Sequence, residues 1–110
     1  MAIRMTYITY TLEAHRAIIE GKQNREPVML ALIEDAGGKF IGFYGLIGRP
    51  EGDGVVISDF ADLSDYMSVV AKTMLSGAIS DITTAHCYTS EDVVAASTKA
   101  AGMTYQPPTP

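Results

Sequence analysis

Apolar positions recur along this 110-residue chain at two different spacings, and the switches between them outline its elements. Tyr7-Ile8-Thr9-Tyr10-Thr11 is dense in β-branched and aromatic residues and predicts a first strand. Leu12 to Glu20 permits a helix, with Ala14, Ala17, Ile18 and Ile19, and Gly21 ends it. Pro27 suits the first turn of a second helical piece, where its missing N–H would have no partner anyway. Val28, Leu32, Ile33 and Ala36 then form an apolar stripe at helical spacing, stopped by Gly37-Gly38.

From Lys39 to Gly48, Phe40, Ile41, Phe43, Tyr44, Leu46 and Ile47 predict a strand that is apolar on both faces. Gly42, Gly45 and Gly48 mark a bulge or the close approach of another backbone. Arg49-Pro50-Glu51-Gly52-Asp53-Gly54 is a turn, and Gly54 to Phe60 returns as a third strand, making an antiparallel hairpin. Asp62 is placed to cap a helix, with Asp65 three residues on. Leu63, Met67, Val70 and Met74 are spaced as its buried face, and Gly77 closes it. Ile79 to Thr89 predicts a fourth strand. Thr89, with Asp92 in the capping-box position, opens a last helix over Ser90 to Ala101, closed by Gly102.

The order strand, helix, strand, strand, helix, strand, helix is the split βαβ pattern of ferredoxin-like α+β domains. It predicts an antiparallel four-stranded sheet with helices on one face and an added C-terminal helix. Residues 1–105 form the single domain, and the proline-rich Gln106 to Pro110 is an extended tail. Because the strands are apolar on both faces, the sheet face without helices needs a cover. A second copy of the chain is the simplest one, so a homo-oligomer built through the open sheet face is expected.

Composition narrows the function. Thirteen acidic and 8 basic residues give a net charge of −5, which repels phosphate backbones and argues against nucleic acid as a partner. No segment approaches the roughly 20 apolar residues of a membrane span, and no secretory signal opens the chain, so cytoplasmic residence is expected. The lone Cys87 allows no internal disulfide and reads as a small hydrophobe within a strand. His15 and His86 share no ligand spacing, so neither a metal nor another cofactor is expected.

The residues Gly37-Gly38-Lys39, Phe43-Tyr44, Ile47-Gly48, Asp53, Val55 to Ile57, Asp59, Asp62, Thr83-Thr84 and Tyr88-Thr89-Ser90-Glu91-Asp92 together resemble the GYD-domain family. The resemblance covers most of Met5 to Gly102. It implies a ferredoxin-like fold of the dimeric α+β barrel type and no particular activity. Relatives in that superfamily include cofactor-free monooxygenases, isomerases and ligand-binding regulatory domains. The family's Gly-x-Tyr-Asp motif is altered: this chain reads Gly48-Arg49-Pro50-Glu51-Gly52-Asp53, with Gly52 at the tyrosine position.

Strand alternation groups Ile82, Thr84, His86 and Tyr88 on one face of the last strand and Asp81, Thr83, Ala85 and Cys87 on the other. The small Ala85 and Cys87 suit packing under a helix, which puts His86 on the open face. Tyr10 and Tyr44 are candidates to share a cavity there, with Asp59 at its mouth. His86 and Asp59 are then the candidate catalytic pair, and Tyr10, Tyr44, Thr84 and Tyr88 the candidate ligand-binding residues. The leading expectation is a homo-oligomeric binding or accessory protein for a small hydrophobic or aromatic molecule. The alternatives are a small cofactor-independent enzyme, isomerase or monooxygenase-like, acting on a small aromatic or enolisable substrate, and a structural subunit of a larger assembly with the tail as its docking arm.

Overall fold

The structure is a computed structural model and describes residues 2–110. Its elements run β1 (Ile3–Tyr10), α1 (Leu12–Glu20), α2 (Glu26–Asp35), β2 (Lys39–Gly45), β3 (Gly54–Asp59), α3 (Leu63–Leu75), β4 (Ile79–His86) and α4 (Ser90–Ala101). The strands form one antiparallel sheet in the order β2-β3-β1-β4. This is the ferredoxin-like α+β arrangement predicted from the sequence.

Several boundaries differ from expectation for physical reasons. β1 begins at Ile3 rather than Tyr7, because a charged residue, Arg4, occupies an inward position and hides the alternation. β2 ends at Gly45, where the N–H of Leu46 donates to the carbonyl of Asp53 and closes the hairpin loop. β4 ends at His86 rather than Thr89, since Cys87 donates to Ile3 and β1 then has no further residues to pair. Cys87 therefore lies beyond the strand and is exposed.

The core lies between the sheet and helices α2 and α3. Ile8, Val56 and Ile79 from the strands meet Met29 and Ile33 of α2, Tyr66 and Val69 of α3, and Phe60. Phe60 is 1% exposed, and a Cβ on Gly38 would stand 2.4 Å from its ring. Gly38 is thus fixed by packing, whereas Gly37 takes the left-handed conformation (φ +91°) that ends α2. The buried face of α3 matches the predicted one only at Val70, which packs against the core. Tyr66 and Val69 point inward, while Leu63, Met67 and Met74 are about half-exposed. The Tyr66 hydroxyl decides this, because it reaches Thr6 Oγ1 at 2.8 Å and Thr84 Oγ1 at 2.7 Å on the sheet.

The caps hold as expected. Asp62 accepts from the Ser64 N–H at 2.8 Å, and Thr89 and Asp92 form the reciprocal capping box of α4. Among the described residues, however, α4 packs on nothing: each of its residues is exposed, Val93 and Val94 included. The 58 Å long axis of the chain fits this projecting arm. A 12-residue helix without tertiary support is marginal in water.

Candidate functional site

Pairing register assigns each strand residue to a face. Arg4 pairs with His86 and Ser58, Thr6 with Thr84 and Val56, and Ile8 with Ile82 and Gly54. Arg4 lies 4.7 Å from the centre of the Tyr66 ring, so this set faces the helices. The residues between them, Met5 with Ile57 and Ala85, and Tyr7 with Val55 and Thr83, face the open side. The grouping of Ile82, Thr84 and His86 on one face is correct, but that face is the helical one, not the open one. The small Ala85 marked the open side and not a helix contact.

The six sequence candidates therefore do not form one site. Asp59 pairs with Ile3 and lies on the open face, opposite to His86, and its carboxylate accepts from the Ala2 N–H at 3.0 Å. Thr84 is committed to the Tyr66 hydroxyl beneath α3. Tyr44 is on the open face and 63% exposed, its ring lying over Gly42. Tyr88 is exposed beyond the end of β4. Tyr10 faces the helices at the far end of β1 from His86.

Two arrangements remain with chemical content. The first is the open face. Tyr7, Val55 and Tyr44 form a row across β1, β3 and β2, beside Met5, Ile57 and Ala85. No helix covers this row among the described residues, and Val55, paired with Tyr7 on one side and Tyr44 on the other, is buried.

The second is a cleft at one end of the seam between α2 and α3. It has a volume of about 250 Å³ and is lined by Tyr10, Arg25, Met29, Leu32, Lys72 and Ile79 among others. Tyr10 is held firmly: its N–H donates to Asp53 Oδ2 at 3.0 Å, where the β1–β4 register shifts. Its ring stands 6.0 Å from that of His15, whose Nδ1 is 3.9 Å from the same carboxylate. The Tyr10 hydroxyl and Arg25 Nε are buried without hydrogen-bond partners among the described residues. Burial pushes the Tyr10 phenol above its usual range, Arg25 opposes this and Asp53 adds to it. At neutral pH the phenol is a hydrogen-bond donor. Sequence reasoning missed Arg25 and Lys72, which carry no motif and meet Tyr10 only through the fold. Among the described residues, no three His, Cys, Asp or Glu side chains converge as a metal site.

The hairpin loop explains the altered motif. The Asp53 N–H donates to Ile8 O at 2.7 Å, and a Cβ on Gly52 would stand 2.6 Å from that oxygen. In this loop the tyrosine position has no room for a side chain, and the aspartate anchors β1.

The model of the GYD domain matches residues 5–96. The chain belongs to the GYD-domain family. A search of curated proteins found no match. Among solved structures, this GYD domain is similar in fold to a transcriptional regulator from Neisseria meningitidis crystallised in complex with L-Met, at 13% identity and a TM-score of 0.53. The match covers 81% of this chain and 51% of the regulator, so the chain spans about half of that protein's length. Among the described residues of this GYD domain, no helix is long and apolar enough to cross a membrane.

Proposed function

We propose that this GYD domain is a small-molecule-binding protein that works as a homo-oligomer, its copies meeting through the open face of the sheet. The observation that carries this reading is the row Tyr7–Val55–Tyr44 with Met5 and Ile57 beside it, an apolar face with no helix over it among the described residues. A sheet that is apolar on both sides needs a layer packed on each face, and the helices supply only one. A second copy supplies the missing layer with the same chemistry. The fold likeness to a regulator solved with an amino acid bound is in keeping with a small-molecule role. An aqueous interior fits the charge and the absence of a spanning helix, and cytoplasmic residence is part of the proposal.

The exposed α4 favours a second reading alongside the first, in which this helix and the tail join copies into a larger assembly. Val93 and Val94 on α4, with Met103 and Tyr105 after it, are apolar and exposed. The enzymatic alternative has less support, because His86 and Asp59 lie on opposite faces of the sheet and offer no acid–base pair. Light scattering on the size-fractionated full chain tests the leading reading. A dimer or larger species that Ile57→Glu reduces to a folded monomer supports it, and a wild-type monomer overturns it.

A further inference from the structure

We infer that the cleft between α2 and α3 takes a small carboxylate with an apolar body, held by Tyr10, Arg25 and Lys72. This rests on the small-molecule half of the proposed function and gives it a place and a ligand class. The cleft is on the helical side of the sheet, away from the face through which copies meet.

The chemistry of the lining selects the ligand. Tyr10 Oη and Arg25 Nε are both buried with no hydrogen bond of good geometry among the described residues, although the guanidinium is close enough to the phenol to act on its titration. A buried donor left unsatisfied is costly, and two donors from different elements at one cleft are poorly explained by packing alone. The guanidinium has a further bond, from Nη1 to Gln23 Oε1 at 3.5 Å, too long to commit the group. Lys72 adds an ammonium from α3, and no Asp or Glu lines the cleft. Two cations and a neutral phenol therefore line the cleft with no carboxylate among its walls, Asp53 lying behind the Tyr10 backbone and Asp35 beside Lys72 outside it, and such a lining favours an anion.

The remaining lining is apolar: Val28, Met29 and Leu32 from α2, with Leu75 and Ile79 opposite. A bare inorganic anion would leave these walls without a partner. An acid with a short aliphatic or aromatic body would bury its chain against them and place its charge at Tyr10 and Arg25. The volume of about 250 Å³ suits a small metabolite and no larger cofactor. The polar end is also preorganised, since Asp53 fixes the Tyr10 backbone while the ring packs against the edge of the core.

The test is a backbone amide NMR titration of the full chain with hexanoate, and in parallel with hexanol, which has the same body and no charge. The expected result is saturable shifts at Tyr10, around Val28 to Leu32 and around Thr73 to Ala78, with hexanol at least tenfold weaker. Arg25→Met should weaken hexanoate at least tenfold and Arg25→Lys less. Should Arg25→Met fail to fold, Lys72→Met on the exposed side of the cleft should give a severalfold loss. Equal binding of hexanol and hexanoate, shifts confined to Met5, Tyr7 and Ile57, or no saturable shift would overturn the inference. The proposed function fails separately, through the mass of the assembly, so the two failures are distinguishable.

Discussion

Asp53 Oδ2 accepts the N–H of Tyr10 at 3.0 Å, tying the end of the hairpin loop to the end of the first strand. The Asp53 N–H returns a bond to Ile8, so one residue clasps β1 twice. The family's aspartate thus has a structural role here: it sets the position of the candidate tyrosine that lines the cleft between α2 and α3. Asp53→Ala should destabilise the fold by about 1–3 kcal/mol, because a part-buried N–H loses a charged acceptor. Asp53→Asn keeps an acceptor oxygen and should cost less. Urea denaturation of the two variants checks the order.

Gly38 and Gly77 make a contrasting pair. A methyl at Gly38 would meet the buried Phe60 ring at 2.4 Å, while one at Gly77 meets nothing within 4 Å but must sit at φ +76°. Gly38→Ala should therefore cost about 3 kcal/mol, near the upper end for overpacking, and displace Phe60. Gly77→Ala should cost about 1 kcal/mol from backbone strain alone. Chemical denaturation midpoints, with the near-ultraviolet signal of the aromatic core, separate the two effects.

Beneath α3, Arg4 is 6% exposed, its side-chain Nε and Nη1 are buried without hydrogen-bond partners among the described residues, and its guanidinium stacks on Tyr66. Burying a charge without a counterion opposes folding, and the cation–π contact returns only about 1–2 kcal/mol. Arg4→Met, similar in length and uncharged, should leave stability unchanged or raise it. Tyr66→Phe should lower it by about 1–2 kcal/mol, since Thr6 and Thr84 both lose the hydroxyl they share. A higher urea midpoint for the first and a lower one for the second is the expected pattern.

The Tyr10 phenol is raised above 10.0, chiefly by burial. A group whose folded value exceeds its unfolded value favours the fold below the unfolded value. That contribution is lost as pH rises through the folded value. Wild-type stability should fall from about pH 10 upward more steeply than that of Tyr10→Phe, which removes the titrating group. Denaturation midpoints taken from neutral to about pH 11 test this, and phenolate absorbance reports the titration directly.

The elements were readable from sequence where local chemistry decides them. Thr89 and Asp92 announced the start of α4, Gly37 and Gly77 the ends of α2 and α3, and the glycine-rich run the β2–β3 hairpin. The faces were less readable, because a period says which residues share a face and not what covers it. Ala85 and His86 illustrate this: small size suggested a helix contact, but cross-strand pairing with Arg4 puts His86 on the helical side. On α3 the methionines outscored Tyr66 in hydropathy, yet the tyrosine is inside because its hydroxyl has two partners there. The cleft drew on Tyr10, Arg25 and Lys72, which lie far apart in sequence, and only Tyr10 was singled out in advance.

Copies of this GYD domain are proposed to meet through the open sheet face and to carry a small molecule. Native mass spectrometry of freshly purified full chain, compared with Ile57→Glu, tests it most directly. The expected result is a dimer or larger species for the wild type, added mass from a retained small molecule, and a folded monomer for the variant. A wild-type chain that is strictly monomeric at micromolar concentration, or an assembly that Ile57→Glu leaves intact, would contradict it.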